Sequence, residues 1–270
     1  YEENNQSYIF EYNYKDRLIV RMGYMFNYNS AGERMANNTI KSNSFSIRAG
    51  LESAGNVMYA ISNLTKQSKN SDGEYSLLSI PYAQYVKGDF DFSRNIVIDD
   101  KNAIAYHVGV GIAVPYGNSK SIPYIKQYFS GGANSVRGWS VRELGPGSFP
   151  GDGNYLNQSG DIKFDASIEY RSKLFWLLQG ALFVDAGNIW TIKEYENQPG
   201  GQFDISKFYK QIAFAYGLGI RIDLDYLVFR IDGGMKALNP AYSSGKQRYP
   251  ILNPNFKRDF TFHLAVGYPF

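Results

Sequence analysis

The sequence predicts an all-β chain folded as an antiparallel transmembrane β-barrel, and three observations carry that prediction. Apolar and aromatic residues recur with a period of two in one segment after another. The face opposite them mixes glycine and alanine with charge. The connections alternate between tight and long, as they do in outer-membrane barrels. The chain has 270 residues, with 23 Tyr, 18 Phe, 27 Gly, no Cys and a formal net charge of +3. Its mean hydropathy of −0.36 looks soluble, but lipid-facing and lumen-facing residues cancel in such an average. No apolar run approaches the roughly 20 residues of a membrane helix. Without cysteine there is no disulfide framework and no thiolate metal site. The near-balanced charge offers no electrostatic case for nucleic acid.

Ten segments carry the alternation. Tyr8–Tyr14 alternates Tyr8, Phe10, Tyr12 and Tyr14 against Ile9, Glu11 and Asn13. Leu18–Tyr28 puts Leu18, Val20, Met22, Tyr24, Phe26 and Tyr28 on one side. Phe45–Glu52 sets Phe45, Ile47, Ala49 and Leu51 against Ser46, Arg48, Gly50 and Glu52. Tyr82–Phe92 sets Val86, Gly88, Phe90 and Phe92 against Lys87, Asp89 and Asp91. Ala103–Val114 and Ile162–Arg171 have the same form, the second with Lys163, Asp165, Ser167, Glu169 and Arg171 opposite Phe164, Ile168 and Tyr170. Trp176–Trp190, Phe214–Leu224 and Leu227–Asp232 continue the series. The last segment, Asp259–Phe270, aligns Phe260, Phe262, Leu264, Val266, Tyr268 and Phe270 against Thr261, His263, Ala265, Gly267 and Pro269. A helix would scatter those aromatics around its circumference.

A soluble β-sandwich or lipocalin-like barrel would turn its apolar faces inward and its polar faces outward. Small residues mixed with charge suit a crowded or wet lumen better than a protein exterior. Asp99–Asn102, Arg171–Leu174 and Asp223–Tyr226 are tight connections, which places them in the periplasm. Ser62–Ser76, Thr191–Lys210 and Ala237–Arg258 are long and polar, which places them outside the cell. By the same alternation Asn29–Asn43 is a periplasmic connection, and a long one. The chain opens YEENNQ, with no basic region and apolar core, and reads as mature or, preferably, truncated.

The longest connection spans residues 115–160. Gly131, Gly132 and Gly145 permit sharp bends there. Between them stands Val136-Arg137-Gly138-Trp139, an arginine far from any strand end. Glu169 lies on lumen-facing parity of one strand, and Asp185, within Phe183–Asn188, on that of the next. A loop folded into the barrel would bring Arg137 to both carboxylates, and a planar guanidinium can bond two at once.

GGANSVRGW followed by LGPGS resembles the VRG(F/Y/W) loop of the BamA-like outer-membrane insertase superfamily, the bacterial surface antigen D15 type. FVDAGNIW, with Phe183, Gly187 and Asn188, is similar to a strand motif of that family, and SIEY and GLGIRID complete the order. The resemblance runs from about Leu51 to Phe270. YAQYVKGDFDF and AVPYGNS look most like the TamA-related branch of Bacteroidetes. The resemblance implies a sixteen-stranded barrel preceded by periplasmic POTRA domains, of which residues 1–270 supply the C-terminal ten or so strands. It also implies that the last strand, with Phe260, Phe262, Leu264, Val266, Tyr268 and Phe270, is one side of a lateral gate. Arg137 would be the loop arginine, with Glu169 and Asp185 as its partners. One position departs from the pattern: Ala265 stands where the family's terminal signal has glycine.

The function so implied is insertion or translocation of client proteins at the bacterial outer membrane, without chemistry and without a cofactor. Outer-membrane lipids, unfolded client outer-membrane proteins, and periplasmic or lipoprotein subunits would be the partners. Two rivals stand beside it: a passive porin-like channel, and a secretion barrel for a fused passenger domain. An enzyme is a third possibility to weigh. His107 and His263 are the two histidines, neither sits in a motif, and no GxSxG is present. Asp89 and Asp91 on one strand face lack the clustered spacing of a metal site.

Overall fold

The computed structural model describes residues 16–30, 43–151, 157–224 and 227–270. Within them nine strands form one antiparallel sheet in strict sequence order. They are β1 (Arg21–Asn29), β2 (Ser44–Ala54), β5 (Tyr85–Val97), β6 (Asn102–Pro115), β7 (Ile162–Lys173), β8 (Leu178–Trp190), β9 (Ala213–Asp223), β10 (Val228–Leu238) and β11 (Phe260–Val266). A two-residue ribbon, β3 (Ser76–Leu77) with β4 (Ile80–Pro81), decorates one connection. The sheet is open, with β1 and β11 as its edges, as a part of a barrel should be. No described helix is long and apolar enough to cross a membrane, which says nothing of strands.

Side-chain burial is inverted relative to a soluble sheet. In β7 the buried residues are Asp165, Ser167, Glu169 and Arg171, while Ile168 and Tyr170 are exposed. In β10 Arg230, Asp232 and Lys236 are buried, and Phe229 and Ile231 exposed. Leu182, Val184, Leu218, Ile220, Phe262 and Leu264 are likewise exposed. Charges inside and hydrocarbon outside can only be stable where the outer solvent is hydrocarbon. Cross-strand aromatics line the outer wall, with Tyr28, Phe45, Phe92 and Tyr106 in successive contact at 5.4, 6.5 and 6.0 Å between centroids.

The connections separate by length. Positions 98–101, 174–177 and 224–227 join strands at one end, and 55–84, 116–161, 191–212 and 239–259 at the other. The first turn is tied by Asp99, which accepts from the Lys101 and Asn102 amides at 2.8 and 2.9 Å. The second exposes Leu174, Phe175 and Trp176, residues suited to a membrane interface.

Several boundaries differ from the sequence expectation. Segment Tyr8–Tyr14 and most of the Asn29–Asn43 connection lie outside the described residues. β8 begins at Leu178, not Trp176, because Leu178 N–H donates to Phe175 O at 2.9 Å and closes the turn. β10 continues past Asp232 to Leu238. Gly233 and Gly234 look like a strand end, yet they pair with Leu218 and Gly217 of β9. Backbone ladders need no side chains. The last strand is shorter than expected: it ends at Val266, and Gly267 turns with φ +86°.

Candidate functional site

The middle of the 116–161 connection does not extend into solvent: Val136, Arg137 and Trp139 are buried. It returns along the inner face of β7–β10. Gly131, Gly132 and Gly145 have φ of 92°, 96° and 79°, values that glycine adopts without strain. Gly132 N–H donates to Trp139 O at 2.8 Å and Trp139 N–H to Val136 O at 3.2 Å, which draws the Val136–Trp139 segment into a tight turn. Val136, Trp139 and Leu144 pack with Ala213 and Ala215 of β9 in a small apolar cluster. The loop backbone lies almost on the sheet. A Cβ on Gly234 would overlap the Arg137 carbonyl, and one on Gly138 would press on the Ala215 methyl at 2.8 Å. Glycine at both surfaces is what permits this approach.

Arg137 is thereby delivered to the wall with 1% of its surface exposed. Its Nε and Nη2 donate to the two oxygens of Asp185, each at 2.8 Å, and its own amide adds a bond to Asp185 at 3.0 Å. Nη1 donates to Glu169 at 2.6 Å and reaches Asp232 at 3.4 Å, and Nη2 donates to Ser167 at 3.2 Å. The guanidinium also lies 3.5 Å from the Phe183 ring centre, a stacking geometry open to Arg. Burial disfavours its charge, but the bonds it donates to Asp185 and the charges of Asp185, Glu169 and Asp232 outweigh that and hold it protonated above its ordinary range.

The network extends further than Glu169 and Asp185. Arg171 Nε donates to Glu169 at 2.8 Å, and Arg221 reaches Glu169 at 3.0 Å and Asp232 at 2.5 Å. Arg230 Nε lies 3.3 Å from Asp232, and its Nη2 donates to Asn134 of the loop. Sequence reasoning does not single out Asp232, Ser167, Arg221 or Arg230 as partners of the loop. All four share inward parity with their strands' other polar residues, and that is the available signal. Asn188 works one level up: its Nδ2 donates to Gly147 O at 2.7 Å and to Gln211 O at 2.5 Å, tying two long connections together. Gly187 lies beneath Val136, with the Val136 Cγ2 3.1 Å from where a Cβ would sit.

The terminal residues divide into two groups. Phe262, Leu264 and Val266 are exposed on the outer wall, and Phe260 shares that face. Tyr268 and Phe270, expected on the same face, are inside the sheet instead. After Gly267 the chain folds inward, so Arg171 lies 4.4 Å from the Tyr268 ring and 5.5 Å from the Phe270 ring. Tyr268 OH donates to Gln179 Oε1 at 3.2 Å, and Phe270 stacks on His107 at 5.4 Å. Beyond the positive φ that ends the strand its alternation no longer holds, and Tyr268 and Phe270 lie on the inner side.

The edge strand touches the loop directly. Thr261 Oγ1 donates to Gly138 O at 3.0 Å, and His263 Nε2 lies 3.0 Å from Arg137 O. His107 lies between Asp91 (3.2 Å) and Asp165 (3.3 Å). Among the described residues no group of His, Cys, Asp and Glu is arranged to hold a metal ion.

Residues 2–270 match the Omp85 superfamily domain. The outer membrane protein assembly factor BamA of Neisseria meningitidis is 35% identical over 97 residues, covering 33% of this chain and 12% of that protein. The human sorting and assembly machinery component 50 homolog is 26% identical over 159 residues, covering 53% and 32%. The chain thus spans about a third or less of these curated relatives. Among solved structures, BamA from Haemophilus ducreyi lacking POTRA domains 1–3 aligns with 92% of the chain and 55% of its own, at 16% identity and a TM-score of 0.48. These matches identify a superfamily and do not separate its branches.

Proposed function

The chain belongs to the Omp85 superfamily of outer-membrane β-barrel proteins, and on that premise we propose that it is the C-terminal wall of a machine that inserts client proteins into, or moves them across, the outer membrane. The names of BamA and of the sorting and assembly machinery component support this reading at the level of the family. Strands absent from this chain would close the barrel, and β11 would be one side of a lateral gate.

The observation that carries the proposal is the contact between the buried loop and the edge strand. Arg137 is anchored to β7, β8 and β10 through Glu169, Asp185 and Asp232. The carbonyls of Arg137 and Gly138 meet His263 and Thr261 of β11. The loop therefore braces β11, an edge strand whose outer side carries no ladder among the described residues. Every backbone group of a membrane strand must be paired, so an openable edge is a template to which an incoming strand can add. Client folding and lipid burial would drive the process, with no bond made or broken. The loop occupies the inner face of β7–β10, which counts against a wide passive pore. Unfolded outer-membrane proteins are the proposed clients, and periplasmic or lipoprotein subunits the proposed helpers.

Reconstitution of the full-length protein in liposomes with a urea-denatured client barrel tests this. Protease-protected client should accumulate with the parent and fall at least tenfold with Arg137→Ala. Equal client insertion by liposomes with and without the protein would overturn the proposal.

A further inference from the structure

On the outer wall, β7 to β11 enclose an apolar groove of about 700 Å³, a volume in the range of about 300–1,000 Å³ typical of small-molecule sites. Leu182, Val184 and Leu218 line it, and at Gly233, where outward parity carries no side chain, the Phe260 ring leans in, its Cε2 2.9 Å from where a Cβ would sit. Phe256 and Phe260, stacked at 4.2 Å, close one end. Between those two rings the chain reads Lys257-Arg258-Asp259, a single helical turn at the rim. Asp259 is taken up by Arg258 through two bonds of 2.7 Å. Lys257 is exposed and forms no ion pair among the described residues. The whole 239–259 connection carries Lys246, Arg248, Lys257 and Arg258 against Asp259 alone.

We infer that this groove holds one phosphate-bearing lipid, its acyl chain along Leu182, Val184 and Leu218 and its headgroup phosphate at the Lys257 rim. The inference rests on the proposed membrane reading and names the lipid class that reading leaves open. Two features separate the site from ordinary annular contact. It is a groove closed at one end by the stacked Phe256 and Phe260 rings, and the cationic rim is part of the same turn that supplies that end wall. Clusters of Lys and Arg next to a bilayer attract anionic headgroups, while the groove supplies apolar burial that a flat wall does not.

The test uses the full-length protein in nanodiscs of phosphatidylglycerol or phosphatidylcholine, washed with detergent, with retained lipid counted by mass spectrometry. The parent should retain one phosphatidylglycerol per chain and at least tenfold less phosphatidylcholine. Leu218→Trp, which fills the groove, should cut retention at least tenfold. Val184→Trp serves the same purpose should the first variant fail the heat-shift assay for folding. Phe229→Trp, on the same wall outside the groove, should retain lipid like the parent. Lys257→Glu should abolish the preference between the two lipids. Equal retention of both lipids by the parent, or unchanged retention in the filled variants, overturns the inference. A protein that does not enter nanodiscs would instead count against the membrane reading itself.

Discussion

Arg137 concentrates the residue-scale argument. Four guanidiniums, Arg137, Arg171, Arg221 and Arg230, share three carboxylates, Glu169, Asp185 and Asp232, and each of these residues is at most 1% exposed. A buried pair is weak evidence for net stability, but breaking one by removing a partner costs about 3–5 kcal/mol, since the remaining charge is left unpaired. Arg137→Ala strands Asp185 of its two-pronged partner and should lower the stability measured by urea unfolding in detergent by an amount in that range. Arg137→Lys keeps the charge but cannot reproduce the fork on Asp185, so it should fall between Ala and the parent. Stability of Arg137→Ala equal to the parent's would mean that the network is decoration. Period two alone is enough to put Glu169 and Asp185 on one face of neighbouring strands. Asp232 shares that inward parity, but period two does not show that the loop reaches its strand, which looks finished at Gly233. The landing of the loop on β10 also depends on Gly234, a residue whose role is visible only once two backbones are seen in contact.

At the scale of elements, the loop and the end of β11 make separate predictions. Any side chain at 234 meets the Arg137 carbonyl, backbone against backbone, with nothing flexible to give way. Gly234→Val should therefore lift the Val136–Trp139 turn off the sheet and open the loop to trypsin at Arg137 and Arg142. Gly88→Val is the control: no heavy atom lies within 4 Å of a Cβ there, and the loop should stay resistant. Cleavage at the same rate in both variants would refute the close-approach argument. Gly267 is different in kind. A Cβ there also meets nothing within 4 Å, so its requirement is conformational: φ of +86°, which costs an L-residue roughly 1–2 kcal/mol. Gly267→Val should favour an extended strand and carry position 270 from the lumen to the outer wall. A spin label at Phe270→Cys reports this, through relaxation by lipid-soluble oxygen in the variant and by a water-soluble nickel chelate in the parent. Relaxation by the chelate in both would show that the tail is held inside by Arg171 and His107 rather than by the turn. The expected run of six outward aromatics and aliphatics from Phe260 to Phe270 fails here for a stated reason. Parity counting assumes an unbroken strand, and it stops at Gly267, beyond which no ladder holds the alternation.

For the whole molecule, the inverted burial of β7 to β10 is clear because the folded loop covers their inner face. At β1 the contrast disappears: every residue from Arg21 to Asn29 is exposed, since no described element lies against its inner side and no described strand pairs with its free edge. The sequence pattern still divides it. Met22, Tyr24, Phe26 and Tyr28 pair with Ser53, Leu51, Ala49 and Ile47 of β2, and Gly23, Met25 and Asn27 with Glu52, Gly50 and Arg48. Since paired residues share a face, the first set belongs to the outer wall and the second to the lumen side. The fold class is legible because this alternation survives in every strand, while closure is not, because the described sheet is open, with β1 and β11 as its edges. A closed barrel in the full-length protein turns the division into an experiment. Single cysteines at Tyr24 and Phe26, spin-labelled in liposomes, should relax with oxygen and resist the nickel chelate. Cysteines at Met25 and Asn27 should do the reverse, so accessibility should alternate with period two across four adjacent positions. Alternation requires one wall wet and the other in lipid. Four labels with the same response would mean that β1 lies wholly in water or wholly in lipid, and neither environment allows this sheet to be the wall of a barrel.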